Sequence, residues 1–140
     1  MKGKKSEKTK LQKKADDLWS VIIRNRDLIC RLCKSRPSRD AHHIFARSHK
    51  NTRHDIRNGL GLCYTCHQPE GHNDPCNFRE RIVEEIGAEL YDLMKQKHLV
   101  KVKYNEAFLR DRIDYLQKID KEHMEKRLNL VRKLSTASHE

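Results

Sequence analysis

Apolar side chains recur at helical spacing along three stretches of this chain and lose that spacing in between. Ala15, Leu18, Trp19, Ile22 and Ile23 stand at i, i+3, i+4, i+7 and i+8, which predicts the buried face of a helix over residues 15 to about 29. Asp74 and Pro75 read as an N-cap followed by proline at the first helical position. Phe78, Ile82, Ile86, Leu90 and Leu93 continue that helical spacing, with Gly87 placed to split the run in two. After a break across 98–104, Asn105 caps a last helix over 105–134 that uses Leu109, Ile113, Leu116, Ile119, Met124, Leu128 and Val131. Its apolar stripe is narrow and its flanks are charged, so it packs on a partner surface or pairs with a second copy as a homodimer.

Residues 30–76 carry no helical period and are crowded with Cys, His, Asn, Asp, Gly and Pro. Short extended pieces fit 40–45 and 59–62, with a polar loop between them. Residues 1–14 hold Lys2, Lys4, Lys5, Lys8, Lys10, Lys13 and Lys14 against Glu7, with no apolar period before Leu11. That composition predicts a solvated, flexible basic tail, which is compatible with an arm lying along phosphates. The expected class is α+β, mostly helical, with one central domain over 15–97 and a long C-terminal helix.

Charge and cysteine change this picture. The chain has 140 residues, 36% hydrophobic and 36% charged, which is lean for a core and favours help from a metal or a partner. The formal net charge of +11 points to an anionic partner, nucleic acid before a membrane surface, since no basic helix carries a wide bulky apolar face. No stretch approaches a membrane span and no apolar block follows the basic N-terminus, so the expected location is soluble and cytoplasmic. Reduced thiols are then expected rather than disulfides.

Cys30, Cys33, Cys63 and Cys66 form two CxxC pairs, and Cys76 is left over as a small packing residue. Two residues between cysteines let one tight turn aim both sulfurs at a single ion, and two such turns complete a tetrahedron. A structural Zn2+ is the expected occupant; buried free thiols or a redox dithiol are the other uses of the spacing. Residues 30–76 hold six of the nine histidines. If residues 40–45 are a strand, His42 and His43 point to opposite faces. One can then hold a divalent cation while the other, neutral near pH 7, activates water for phosphodiester hydrolysis. Asn58 can donate and accept at once, bracing the loop and the base. His67, placed by the second knuckle, can return to the same cation as His42, and His72 is a further candidate ligand. His49, His54, His98, His123 and His139 read as solvated. Arg24 and Arg26 face DNA or solvent, and Arg47, Lys50, Arg53 and Arg57 in the polar loop are candidate phosphate contacts.

Wrapped by the two knuckles, His42-His43, Asn58 and His67 resemble the HNH nuclease superfamily with its ββα-metal fold. Ala41-His-His-Ile-Phe-Ala-Arg-Ser, Thr52-Arg-His-Asp, Asn58-Gly-Leu-Gly-Leu-Cys-Tyr-Thr-Cys-His, and Asp74-Pro75 with Phe78 look like phage recombination nucleases of the NinG (Rap) kind. The resemblance covers about residues 15–97. It implies His43 as general base, Asn58 as the residue that orients it, and His42 and His67 as ligands of a catalytic Mg2+, Mn2+, Ni2+ or Zn2+. It implies the four cysteines as a structural zinc site. The expected function is a metal-dependent DNA endonuclease acting on duplex or branched DNA in phage recombination, within a bacterial host. The rivals are a zinc-stabilised DNA-binding module without catalysis and a small assembly factor that dimerises through 105–134.

Overall fold

The computed structural model describes residues 3–70 and 73–137, without the side chains of 69 and 70. Helix α1 spans Glu7–Arg26, β1 Asp40–His43, β2 Gly59–Leu62, α2 Pro75–Ile86, α3 Ala88–Leu99 and α4 Glu106–Ala137. The class is α+β and mostly helical, with one small antiparallel sheet. Among the described residues no helix is long and apolar enough to cross a membrane.

Helix α1 starts earlier than its apolar period suggests. Ser6 caps it by accepting the Thr9 amide, and Glu7 sits in the first turn, where the helix dipole favours an acid. Lysine is a good helix former, so the basic run joins the helix instead of forming a flexible tail from residue 3 to 14. The boundary between α2 and α3 is Gly87 with φ of +90°, a conformation that side chains with a Cβ rarely adopt. Asp74 caps α2 through the Asn77 amide, and Pro75 opens the helix.

Two apolar clusters lie on either side of the sheet. Ala15, Trp19, Ile22 and Ile23 of α1 pack against Ile113 and Leu116 of α4. Leu60 and Leu62 pack with Cys30, Cys63, Cys66 and Ile82. The two-residue period of β2 separates the clusters: its leucines face the cysteines, and its glycines let α1 come close. A Cβ on Gly59 would overlap the Trp19 ring, and one on Gly61 would stand 2.6 Å from the Asp27 Cβ. Asp27 ties this junction together, accepting the Gly61 amide at 2.9 Å and both Arg26 and Arg31. Arg26, expected to face DNA or solvent, instead donates to the Ile56 and Gly59 carbonyls at 2.8 and 2.7 Å. Beyond Ile119, α4 leaves the core, and Met124, Leu128, Val131 and Leu134 stay exposed.

Candidate functional site

Strand β1 pairs with β2 in the register Asp40↔Leu62, Ala41↔Gly61, His42↔Leu60 and His43↔Gly59. Alternation therefore sends Asp40 and His42 toward the cysteine side and His43 toward α1. The His43 ring stacks on Trp19 with centroids 3.8 Å apart and planes 11° from parallel. That approach needs Gly59 opposite His43, since any side chain there would occupy the space of the indole. His42 meets Phe78 and His67 edge-on at 5.1 and 4.9 Å.

The hydrogen bonds determine which ring nitrogens are free. The Arg53 carbonyl accepts from His43 Nε2 at 2.9 Å, so in the neutral ring the lone pair is on Nδ1. Burial pushes His43 down to about 4 despite that carbonyl. Burial, with His67 and His43 beside it, pushes His42 down to about 3. Both imidazoles are neutral at pH 7. Asp40 Oδ2 accepts from His67 Nδ1 at 3.1 Å, which fixes the tautomer and leaves His67 Nε2 as the free donor atom. Asp40 has no motif of its own, but it lies two residues before His42 on a strand, and period two puts both on one face. His42, His43, Arg47 and His67 line a cleft of about 550 Å³ whose other wall is Asp16, Asp17 and Ser20 of α1.

Behind His43 lies a polar core with no hydrophobic signature. Asn58 is fully buried. It accepts the Phe45 amide and donates to the Phe45 and Thr52 carbonyls. Asn58 therefore braces the loop that carries the Arg53 carbonyl, and through that carbonyl the His43 ring; its own side-chain hydrogen bonds go to Phe45 and Thr52. Asp16 holds Arg53 through both carboxylate oxygens and takes His54 Nε2 at 2.7 Å. Burial alone would raise the Asp16 carboxyl, but the hydrogen bonds from Arg53 and His54 outweigh it and hold it well below the usual range.

Several expectations for the loop need correction. Arg53 is only 8% exposed and serves as an internal strut rather than a phosphate contact. Arg57 is turned onto the Asp55 carboxylate, and Lys50 lies 4.8 Å over the Tyr104 ring. Of the four loop cations, Arg47 lines the cleft. His54 is buried rather than solvated, because Asp16 draws it inward. His49 and His98 are half-buried and meet edge to face at 4.5 Å, and His98 also stacks on Phe45. Cys76 is exposed and packs no core, since it falls in the first, outward turn of α2. His72 and His139 lie outside the described residues.

The four cysteines come together as the spacing predicts. Their sulfurs lie within 4.8 Å of one another, and Cys33 and Cys63 are 3.8 Å apart. A tetrahedral ion with metal–sulfur bonds of about 2.3 Å requires sulfurs about 3.8 Å apart, so the cage matches zinc. Hydrogen bonds from Ser35 bring the Cys33 thiol down to about 6, while burial pushes Cys66 up to about 12. Protein groups alone therefore do not ionise the set at neutral pH, whereas a divalent cation at its centre does so. This cluster fits a structural metal. Among the described residues no other group brings three ligand atoms together; His42 and His67 supply two imidazoles to the cleft. No family model, curated protein or solved structure matches the chain.

Proposed function

We propose that the chain is a metal-dependent DNA endonuclease of the HNH kind, hydrolysing phosphodiester bonds with His43 as general base. The carrying observation is the sorting of His42 and His43 by β1. One imidazole joins His67, and the other is locked between Trp19 and the Arg53 carbonyl with Nδ1 unprotonated. Both line one cleft together with Arg47. A rigidly held imidazole that is unprotonated at pH 7 keeps the Nδ1 lone pair available to accept a proton.

His43 Nδ1 takes a proton from water as the water oxygen attacks phosphorus. The bond from phosphorus to the 3′ oxygen breaks, leaving a 5′ phosphate, and the departing oxygen takes a proton from solvent. Arg47 offers its guanidinium to the phosphate oxygens. His42 and His67 Nε2 would hold a Mg2+, Mn2+, Ni2+ or Zn2+ ion, with Asp40 orienting His67. Such an ion supplies Lewis-acid stabilisation of charge on the phosphate. The zinc knuckles keep β2 and His67 in place relative to β1. A phage recombination role is the process this reading fits, and the exposed apolar end of α4 is what a second copy would cover in a homodimer.

Nicking of supercoiled plasmid and cutting of a four-way junction test the reading, with Mg2+, Mn2+, Ni2+ or chelator. Wild type should cut only with added divalent metal, and His43→Ala should lose about 10²–10⁴-fold in rate while still binding DNA. Equal cutting by the variant removes His43 from the role. Binding without cutting under every metal replaces the nuclease with a zinc-stabilised DNA-binding module.

A further inference from the structure

The excess positive charge has to be located once Arg26 and Arg53 are committed to internal partners and Arg57 is paired with Asp55. A dense run of exposed cations lies on α1. At 100° per residue, Lys10, Lys13, Lys14, Asp17, Ser20, Val21 and Arg24 fall within about 120° of arc, opposite the face that buries Ala15, Trp19, Ile22 and Ile23. The four cations of that stripe are exposed. From Lys10 to Arg24 the stripe runs about 21 Å, the length of about six base pairs of duplex. Its middle, at Asp17 and Ser20, has no cation, and there α1 forms one wall of the cleft that holds His42 and His43.

Two further observations give the stripe a direction. Lys10, Lys13 and Lys14 line a surface groove of about 500 Å³ that also takes in Asp17. Asp17 lines the histidine cleft as well, so the groove and the cleft meet at that residue. The acid of the stripe is occupied: Asp17 pairs with Lys13 at 2.6 Å. A polyanion lying on the lysines therefore passes the cleft mouth, and can displace Asp17 from Lys13.

We infer that the outer face of α1 is a rail for the backbone of duplex DNA, leading the strand from Lys10, Lys13 and Lys14 across the cleft mouth toward Arg24. A membrane surface fits less well, because a helix lying in lipid needs a broad face of bulky apolar residues and this face offers Val21. The rail deepens the endonuclease reading by naming where its substrate lies, yet it rests on charge and adjacency rather than on catalysis. Its contacts fix register and read no sequence.

The test is the salt dependence of binding to a duplex of about 30 base pairs, by fluorescence anisotropy between about 50 and 200 mM salt. The triple variant Lys10→Gln, Lys13→Gln, Lys14→Gln loses three phosphate contacts, so the slope of log K against log salt should flatten by about 2.7. The ratio of affinities between the two salt concentrations then shrinks by about 40-fold. Asp17→Asn, which frees Lys13, should shift binding the other way and tighten it several-fold at low salt. Both variants change exposed side chains, so their melting curves should overlay wild type. A triple variant with the wild-type slope overturns the rail, and so does one that loses binding to phosphatidylserine vesicles while keeping the duplex slope. If the slope is unchanged while cutting still depends on His43, the rail falls and the nuclease stands. If the slope flattens but no metal supports cutting, the rail stands and the nuclease falls.

Discussion

Asp55 joins the loop that supplies the Arg53 carbonyl to two helices, and its removal can be worked through. Its side chain is 3% exposed and accepts from the Arg57 amide, from Arg57 Nε and Nη2, and from Lys97 Nζ of α3 at 2.6 Å. Its main-chain carbonyl accepts Trp19 Nε1 of α1 at 2.9 Å. Burial alone would raise the carboxyl, but the hydrogen bonds from Arg57 and Lys97 outweigh it and lower the group from 3.8 to about 2. A displacement of that size corresponds to about 2 kcal/mol of charge-dependent stability at neutral pH. The folded value is depressed, so this stability is fully present above the unfolded value near 4 and is lost as pH falls toward 2. Asp55→Asn keeps the shape, removes the charge and leaves Lys97 and Arg57 facing a neutral amide. It should cost about 2 kcal/mol at pH 7, a fall in melting temperature of roughly 8 °C. Urea denaturation of both proteins between pH 2 and 7 measures the difference. The gap should be widest at neutral pH and close through the window from about 4 to about 2. A loss below about 0.5 kcal/mol at pH 7, or a gap that does not change with pH, refutes the assignment of Asp55 as a charged tether.

Two further outcomes are expected. Zinc bound to four thiolates contributes about 10–16 kcal/mol in small domains, more than the usual net stability of about 5–15 kcal/mol. Metal analysis should therefore find one zinc per chain, and chelation or Cys63→Ser should remove cooperative melting; a metal-free protein that melts like wild type would sink the structural site. Trp19→Phe keeps a ring beneath His43 but strips the Asp55 carbonyl of its donor, costing about 1–3 kcal/mol, whereas Trp19→Ala also leaves a cavity and costs about 3–5 kcal/mol. Urea midpoints that place the two variants in the reverse order would refute the account of that contact.

Periodicity and spacing carried the regular parts of this molecule because each depends on neighbours in sequence. The buried face of α1, the stop at Gly87, the Asp74 cap and the two short strands all follow from local geometry. The knuckles were legible for the same reason: two residues between cysteines suffice to aim a pair of sulfurs, whatever the rest of the chain does. A strand's alternation likewise separated His42 from His43 before any contact was known.

Partners far apart in sequence leave no such trace. Asp16 and Arg53 are 37 residues apart, and nothing in a run of charges distinguishes an arginine that meets phosphate from one that meets a buried carboxylate. The polar loop was therefore read as a DNA face, although Arg53 is buried on Asp16 and Arg57 is paired with Asp55. His54 was read as solvated for the same reason. Trp19 was legible as core, but its place beneath His43 depends on Gly59 across the sheet, and only packing brings those three residues together. The lysine run was visible as composition; that it forms a helix with one exposed stripe beside the cleft follows from the Ser6 cap and the docking of α1 on α4. Sequence by itself determined the elements, the spacing of the cysteine cage and the alternation that parts His42 from His43. Tertiary structure decided which charges remain free, because a charge is sequestered only by an opposite charge, and the fold alone decides which ones meet.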